Sequence, residues 1–302
     1  MSIPQCANPL VSEALDVRNP RAWEGLQQSS KVMSNKIIVG TDFRAEADRA
    51  IDRALKLGEE WDLDVVIVHA LDPSLGEPPA RAELDRRMRS VLPDPEMEVT
   101  FRYPMDRADY AIAGVAEEED ARLVVLGVAR FNSLRDFLLG TAVDYVIRHS
   151  PVPTLVVKNR PTGPYRRIVC ATDFYPPSRH ALEKAADLFP DADLQLIHAY
   201  HVPFEGWQKA EYVRKDVEKA ERKVFKEFMN ELRPETRERV TPHLVYGSAA
   251  GALRKDIRDS EADLLVLGTH GESALRHATI GSTANELLRS LPIDTLVIKN
   301  HE

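Results

Sequence analysis

Cysteine is scarce in this 302-residue chain, which contains only Cys6 and Cys170. Two cysteines placed this far apart provide neither a disulfide framework nor the paired spacing of a metal site. Cys170 lies inside an apolar, strand-like run, where we expect a packed core thiol. The fold must therefore be stabilised by burial of apolar side chains, and 43% hydrophobic residues are enough for a sizeable core.

Long hydrophobic runs are also missing. No apolar run approaches the roughly 18 residues that a membrane-spanning helix needs. A secretion signal begins with a basic segment that is followed by an apolar stretch. At this N-terminus Pro4, Glu13 and Asp16 interrupt such a pattern, so we identify no secretion signal. We therefore expect a cytoplasmic protein without a membrane partner.

Basic side chains are fewer than acidic ones, 40 against 48, which gives a net charge of −8. Binding of a nucleic acid requires a concentrated basic face, so we expect no nucleic-acid partner. A small anionic ligand held by backbone amides remains compatible with this charge.

Several catalytic motifs are absent as well. The chain has no G-x4-G-K-[ST] loop, no G-x-G-x2-G fingerprint, no H-E-x2-H pair and no G-x-S-x-G elbow. No candidate nucleophile is paired in sequence with an obvious base. Without a Walker lysine or a water-activating group, fast nucleotide hydrolysis is not expected.

Three segments recur along the chain in the same order, at offsets of 131, 141 and 141 residues. They are KIIVGTDF and RIVCATDF at 36–43 and 167–174, RLVVLG and DLLVLG at 122–127 and 263–268, and PTLVVKN and DTLVIKN at 153–159 and 294–300. A match of this length and order indicates the duplication of a whole domain. The length of the chain, at about 100–200 residues per domain, agrees with two domains.

The repeats set the expected domain boundaries. The first copy covers residues 36–159 and the second residues 166–302, and the segment RPTGPY at 160–165 reads as a linker because it is rich in Pro and Gly. Residues 1–35 precede the first strand as an N-terminal extension. For residues 1–32 two explanations stay open, a loosely held extension or an upstream start codon.

Five short β-rich runs alternate with four helical stretches in each copy. Runs such as LVVLG and LLVLG are apolar on consecutive residues, which is typical of a parallel strand that is buried on both faces. The alternation predicts an α/β fold of two tandem, open, parallel, five-stranded, doubly wound domains of Rossmann-like type. In the second copy we expect a strand to begin at Arg239.

A long amphipathic helix is predicted at residues 207–232. Its apolar positions recur at spacings of three and four, which places them on one face against the sheet. The members of this stripe are Val213, Val217, Ala220, Val224 and Phe228.

Candidate binding residues of the second copy follow its strands, because ligands of open α/β sheets lie at the carboxyl ends of the strands. Thr172 and Asp173 follow the first strand, His198 and Ala199 the second, and the glycine-containing segment 268–271 the fourth. After nine more residues, the segment Gly281-Ser282-Thr283 opens the last helix and offers free backbone amides and two hydroxyls to an anion. Glycines after a strand let a polyphosphate approach the backbone, and Asp173 is an acceptor suited to a ribose hydroxyl or a base amine.

This arrangement resembles the universal stress protein family, whose nucleotide-binding members carry the motif G-x2-G-x9-G-(S/T). The motif occurs here as Gly268, Gly271, Gly281 and Ser282, and Asp173 matches the early strand-end aspartate of the family. The resemblance covers both copies, so the chain is similar to a tandem universal stress protein. It implies domains like those of the adenine-nucleotide α-hydrolases.

The same resemblance implies that the ligand is ATP, with Mg²⁺ or Mn²⁺. The adenine would lie near Ala171 and the backbone of Ala199, and the ribose near Asp173 and Gly268. The phosphates would contact His270, Gly271, Gly281, Ser282 and Thr283. The adjacent strand-end residues Thr172 and Leu267 complete the expected site.

The first copy departs from the motif. Gly127 and the pair Gly140-Thr141 are kept, but Arg130 stands at the second glycine position and Ala129 replaces the histidine. A side chain at 130 is expected to crowd the path of the phosphates, so we expect a silent, structural first site. In the alternative, Arg130 itself pairs with an anion.

Some of these residues have a simpler explanation. Asp173 could only cap the helix that follows, since Asp42 repeats it in the copy with the altered motif. His270 could be a solvent-facing loop residue. His198 and His201 form an H-x2-H pair without helical register, so we expect no zinc site there.

Three functions follow from these observations. The first is an ATP-binding protein of stress response or regulation with little or no catalysis. The second is a slow ATP hydrolase of the adenine-nucleotide α-hydrolase type, against which the lack of an S-G-G-x-D-S loop argues, and the third is an interaction module with a different ligand. The resemblance also implies an intrachain pseudo-dimer through the last strands, 154–158 and 295–299, and leaves open a homodimer of two chains.

Overall fold

The computed structural model describes residues 35–131, 137–202, 210–269 and 280–300. For residues 130–131, 137–138 and 210–212 it describes the backbone only. These residues form twelve strands and nine α-helices. The strands are β1 Lys36–Gly40, β2 Asp64–Val68, β3 Thr100–Arg102, β4 Leu123–Gly127, β5 Arg130–Phe131, β6 Phe137–Leu138, β7 Thr154–Val157, β8 Arg167–Ala171, β9 Asp193–Tyr200, β10 Val240–Tyr246, β11 Leu264–Thr269 and β12 Asp294–Lys299. The helices are α1 Ala45–Trp61, α2 Arg81–Ser90, α3 Ala108–Glu118, α4 Thr141–His149, α5 Pro176–Leu188, α6 Ala210–Glu231, α7 Pro234–Arg239, α8 Ala249–Asp259 and α9 Ser282–Ser290.

Ten of the strands form one sheet in the order β10-β9-β8-β11-β12-β7-β4-β1-β2-β3. Within each repeat every pair of neighbouring strands is parallel, and the strand order is the same in both repeats. The predicted α/β, doubly wound fold is therefore confirmed. The two five-stranded halves are joined by one antiparallel pair, β7 with β12, in which Leu155 lies opposite Leu296.

Helices cover both faces of this sheet. On one face α1, α2, α5 and α6 contribute to a single apolar cluster, and on the other face α3, α4, α8 and α9 contribute to a second one. Neighbouring residues of a strand are divided between them: Ile37 and Val39 belong to the first cluster and Ile38 to the second. This is why consecutive strand residues are apolar, as the sequence indicated. Cys170 is buried in the first cluster, and burial raises the pKa of its thiol to about 12.

The predicted apolar stripe of the long helix is wrong in part. Val213 and Val224 are 41% exposed, whereas Phe225 and Phe228 are buried. The rings of both phenylalanines pack against the ring of Phe174. The large aromatic side chains bury more apolar area than valine, so they decide which face of α6 turns to the sheet.

The segment after α6 also differs from the prediction. A further short helix, α7, begins with Pro234 and ends at Arg239, so the next strand begins at Val240 and not at Arg239. Proline is favoured at the first position of a helix. The guanidinium of Arg239 donates to the carbonyl oxygens of Ala186, Phe189 and Ala192, which ties α7 to the end of α5. No helix within the four described ranges is long and apolar enough to span a membrane.

The junction of the repeats is built around the buried carboxylate of Asp294, which is 1% exposed. It accepts hydrogen bonds from the backbone N–H of Lys158 at 2.8 Å, the backbone N–H of Asn159 at 2.9 Å and the hydroxyl of Tyr165 at 2.6 Å. The guanidinium of Arg53 lies 3.8 Å from the same carboxylate. Burial and the neighbouring carboxylate raise the pKa of Tyr165 well above its usual value, so its hydroxyl stays a donor.

The linker is thus attached to both repeats. Arg53, on α1 of the first repeat, donates to the carbonyl oxygen of Gly163 at 2.9 Å and lies 4.0 Å above the ring of Tyr165. Tyr165 in turn bonds to Asp294 of the second repeat. The linker is therefore ordered by packing, although its Pro and Gly content predicted only a connecting segment.

Replacement of Asp294 tests this junction. Asp294→Asn removes the charge that faces the buried Arg53, and breaking a buried ion pair from one side costs about 3 kcal/mol or more. We expect the free energy of unfolding, measured by denaturant titration, to fall by that amount. Glu227→Gln, in an exposed pair with Lys223 on α6, is the control and should change it by less than about 1 kcal/mol. Equal effects of the two substitutions would contradict the role of Asp294.

Candidate functional site

The T-D-F segment adopts the same turn at the end of the first strand of both repeats. Phe43 and Phe174 have left-handed backbone angles, with φ of 62° and 67°. In each case the preceding Thr hydroxyl accepts a hydrogen bond from the Phe backbone N–H, at 3.1 Å in the first repeat and 2.9 Å in the second. Such a conformation is unfavourable for a residue with a side chain, so the repeated hydroxyl explains why the motif recurs.

Asp42 and Asp173 also have equivalent contacts. The Oδ1 atom of Asp173 accepts from the backbone N–H of Tyr175 at 3.2 Å, and Oδ1 of Asp42 accepts from the N–H of Arg44 at 3.0 Å. Both carboxylates are exposed. One oxygen of each thus supports the turn before the helix. Neither aspartate caps the helix itself as the simpler explanation predicted, since the N-cap residues are Tyr175 and Arg44 and neither helix start has a side-chain cap. A carboxylate has further acceptor positions for a ligand.

A histidine packs beneath each turn. His198 was named from the sequence as a strand-end residue, but this structural role was not predicted. His198 Nδ1 lies 2.8 Å from the carbonyl oxygen of Thr172, and its ring stacks on Phe174 with centroids 4.0 Å apart. His69 makes the same contacts with Thr41 and Phe43, and burial lowers the pKa of His69. These histidines hold the left-handed Phe in place. Across the described part of the chain, no cluster of three or more potential metal ligands occurs.

The second repeat contains a cavity of about 580 Å³ at the carboxyl ends of its strands. Nine of the eleven residues predicted for the site line this cavity; they are Ala171, Thr172, Asp173, Ala199, Leu267, Gly268, Gly281, Ser282 and Thr283. The other two, His270 and Gly271, lie outside the described residues. The structure thus brings residues from three strand ends and one helix start to one place.

A second helix start also faces the cavity, and its residues were not among those predicted for the site. Gly247, Ser248 and Ala249 belong to its lining, and Ser248 caps α8 by accepting from the backbone N–H of Gly251. A Gly-Ser pair directly before a helix is the same signal as Gly281-Ser282, so the sequence contained the information. His198, named from the sequence as a strand-end residue, also lines the cavity, and the lining residues that were not predicted are Ser178, Ile197, His201, Leu253, Ala284, Glu286 and Leu287.

The backbone of Ala199 points into this cavity. The carbonyl of Ile197 accepts from Thr172 and therefore points toward β8, whereas the carbonyl of Tyr200 accepts from Gly247, beyond β10. Because these directions alternate along a strand, the N–H and C=O of Ala199 point to the β8 side. The last residue of β8, Ala171, pairs with Ile197, so no residue of β8 lies opposite Ala199. The N–H donor and the C=O acceptor of Ala199 therefore face the space beyond the end of β8.

The equivalent cavity of the first repeat is smaller, about 240 Å³. Gly40 takes the place of Ala171, and a Cβ atom at Gly40 would lie 2.7 Å from Cδ1 of Ile112 and 2.9 Å from Cδ2 of Leu126. These side chains close over the end of β1. The helix start differs too, since Gly140 has a φ of 84° where Gly281 has a φ of −52°. The prediction for Arg130 concerns a side chain outside the described set.

The first glycine of the motif serves the fold itself. A Cβ atom at Gly268 would lie 2.5 Å from the carbonyl oxygen of Pro177 and 2.9 Å from the backbone nitrogen of Ser178. At Gly127 it would lie 2.7 Å from the carbonyl oxygen of Glu46. The close approach that requires glycine is therefore made by the start of the neighbouring helix, α5 or α1, and is needed whether or not a ligand binds.

A pair of glycine substitutions tests this explanation. Gly268→Ala forces the start of α5 away from β11, and we expect a loss of about 1–3 kcal/mol in the free energy of unfolding. Gly114→Ala, inside α3 where an added Cβ atom meets nothing within 4 Å, should instead add about 0.5–1 kcal/mol. Thermal or denaturant unfolding of the two variants should therefore shift in opposite directions. A neutral Gly268→Ala would refute the packing role.

Comparison with known proteins identifies the family to which the chain belongs. The sequence model of the universal stress protein family matches residues 33–158 and again residues 164–299. A universal stress protein of Methanocaldococcus jannaschii is 26% identical over 145 residues, which is 45% of this chain and 82% of that protein. One from Synechocystis sp. is 39% identical over 56 residues, 18% of this chain and only 20% of the relative.

Among solved structures, a universal stress protein from Pseudomonas aeruginosa UCBPP-PA14 has the same fold. It superimposes with a TM-score of 0.63 and 20% sequence identity, and the match covers 88% of this chain and 93% of that chain. At this identity the likeness concerns the fold alone. Together with the two matches to the family model, it shows that the chain belongs to the universal stress protein family and carries the family's domain twice.

Proposed function

We propose that the second repeat binds an adenine nucleotide, ATP together with Mg²⁺ or Mn²⁺, and that the protein acts in a cytoplasmic stress response or its regulation with little or no catalysis. One observation carries the proposal. A single cavity of about 580 Å³ contains nine residues that the sequence had assigned to nucleotide binding, and its volume is in the range of small-molecule sites.

The adenine base is proposed to lie against the end of β8. The N–H and C=O of Ala199 form a donor and acceptor pair that matches the edge of adenine. Apolar side chains of Ile197, Leu253 and Leu267 line the space around it. The exposed carboxylate of Asp173 stands at the mouth of this space and is suited to accept hydrogen bonds from ribose hydroxyls.

The phosphates are proposed to lie at the start of α9. The first backbone N–H groups of a helix have no partner within the helix and attract anions, and here they are accompanied by the exposed hydroxyls of Ser282 and Thr283. Of the lining residues that the structure describes, Asp173 and Glu286 are charged, and both are acidic. A divalent cation fits this composition, since carboxylates and phosphates both supply the oxygen ligands that Mg²⁺ prefers.

The first repeat is proposed to act as a structural partner of the second. Its cavity is less than half as large, and its sequence departs from the motif at Ala129 and Arg130. The antiparallel pairing of β7 with β12 supports an intrachain pseudo-dimer of domains at 36–159 and 166–302, connected by 160–165. Weak or absent catalysis is proposed because the sequence has no Walker lysine.

Titration of nucleotide-free protein with ATP and Mg²⁺ tests the proposal. We expect the wild type to bind and Gly281→Val to bind at least about tenfold more weakly, a difference of about 1.4 kcal/mol. Gly281 has a φ of −52°, which valine tolerates, so the added side chain, and not backbone strain, would obstruct the start of α9. Thr141→Val, at the corresponding helix start of the first repeat, should bind ATP like the wild type. Absence of binding by the wild type, or equal binding by Gly281→Val, would refute the proposal.

A matched pair of aspartate substitutions separates ligand contact from turn support. Asp173→Ala and Asp42→Ala remove equivalent hydrogen bonds from equivalent turns, so we expect similar losses of stability. Only Asp173 is proposed to contact the ribose, and loss of such a contact should weaken ATP binding by about 1–3 kcal/mol. Calorimetric titration of both variants with ATP measures whether only Asp173→Ala has lost affinity. If they bind ATP equally well, Asp173 has only the structural role.

A further inference from the structure

Lys158 directly follows β7 in the first repeat, yet its ammonium group contacts the second repeat. The side chain is buried, with 1% exposure. Its Nζ atom donates to the carbonyl oxygens of Leu288 at 2.7 Å and Leu291 at 2.8 Å, and to Oγ1 of Thr295 at 3.3 Å. Leu288 lies in the last turn of α9 and Leu291 is the residue that ends the helix. A side chain of one repeat thus caps a helix of the other.

The hydrogen bonds around Nζ show which charge state this geometry requires. The Thr295 hydroxyl donates its own proton to the carbonyl of Ile293 at 3.1 Å, so it must accept from Lys158. The other two partners are carbonyl oxygens, which only accept. Three acceptors need three donors, and a lysine side chain has three donors only when it is protonated.

A second contact holds α9 to the first repeat. The guanidinium of Arg289 lies 3.0 Å from both carboxylate oxygens of Asp144 on α4, and its Nε atom donates to Asn285 on α9. The C-terminal half of α9 is therefore attached to the first repeat at two points. At about 1.5 Å per residue, this nine-residue helix is about 13 Å long and moves as one unit, so these contacts also determine where its first residues lie.

We propose that Lys158 is a positioning residue for the nucleotide site: from the first repeat, it holds the C-terminus of α9 and thereby places the N-terminus of that helix against the ligand. The inference rests on the proposed function of the second cavity. It assigns to the first repeat a part in nucleotide binding that does not require a ligand of its own.

Protonation of Lys158 makes this role dependent on pH. Burial lowers its pKa to about 7, and the carboxylate of Asp294 opposes that shift. The other charged or titratable groups at this junction include Arg49, Arg53, Tyr165, Arg289, the Asp144 that pairs with Arg289, and Lys299 at the end of β12. The ammonium is thus lost as the pH rises through about 7, one of the three hydrogen bonds is lost with it, and ATP affinity should fall.

Loss of the same proton should change the stability of the fold in the opposite direction: the free energy of unfolding should rise with pH while ATP affinity falls. An unfolded lysine keeps its proton to about pH 10.4, so between about pH 7 and that value the unfolded state binds more protons than the folded one. The contribution of Lys158 to the free energy of unfolding therefore rises with pH in this range. A fall in ATP affinity over the same range cannot then be a consequence of general destabilisation by this group.

The experiment compares ATP–Mg²⁺ binding by the full chain from about pH 6 to about pH 9, a range that includes the titration of Lys158. We expect wild-type affinity to fall by about fivefold, within the usual range of coupling between sites. Lys158→Met should bind ATP weakly at every pH, and its affinity should not show the fall that the wild type shows as the pH rises. Every other titratable group is the same in both proteins, so the difference between the two profiles isolates Lys158.

Lys299 is the matched control. It occupies the corresponding position at the end of β12, and its Nζ atom donates to the carbonyl of Arg148 at the end of α4, in the first repeat. Lys299→Met removes the equivalent cap from the helix that does not face the nucleotide. It should keep the wild-type affinity and its dependence on pH.

A milder variant covers the case in which Lys158→Met does not fold. Thr295→Val has nearly the same shape but removes one of the three acceptors, so the ammonium is less stabilised and the fall in affinity should begin at lower pH. If the wild type binds ATP and Thr295→Val, together with Lys158→Met where that variant folds, keeps its affinity and pH profile, the positioning role is refuted and nucleotide binding stands. If the wild type binds no ATP at any pH, the proposed function and this inference fail together.

Discussion

The pairing of β7 with β12 is the contact on which the arrangement of the two repeats depends. It is the one antiparallel pair in an otherwise parallel ten-stranded sheet, and it extends both apolar clusters across the whole described fold. Asp294 and Lys158 are buried beside it, and the hydrogen bonds made by both side chains offset part of the cost of burying their charges. The linker and α9 are both attached to these two side chains. Because α9 begins at the candidate site, the contact between the two repeats is also linked to that site.

The two repeats show how a duplicated scaffold can keep its structure and change its cavity. The left-handed Phe, the supporting Thr hydroxyl and a histidine ring packed on the Phe ring occur in both copies, with the two rings stacked in the second repeat and tilted in the first. The cavities differ because a few side chains differ. Gly40 lets Ile112 and Leu126 close over the end of β1, whereas the corresponding strand of the second repeat ends in Ala171 and leaves a space more than twice as large.

Patterns that depend on neighbouring residues were predictable, and features that depend on distant contacts were not. The strands were recognised because burial on two faces requires consecutive apolar residues. The buried face of α6 was predicted wrongly in part. Phe228 is buried as predicted, but Val213 and Val224 are exposed, because the contact of Phe225 with Phe174, far away in sequence, decides the rotation of the helix. For Gly268 the position was recognised, but the reason was not: the close approach is to Pro177, which sequence spacing does not reveal.

By itself the sequence determined the duplication, the α/β class and about half of the described residues that line the larger cavity, because repeats, apolar runs and strand-end motifs are local. The tertiary structure alone decided how the copies meet and which cavity is larger. It showed that Asp294 and Lys158, which read as ordinary charged residues at strand ends, are buried, and that Ala199 turns its peptide groups toward the cavity. These properties depend on strand register and on side chains more than a hundred residues apart, which no local pattern contains.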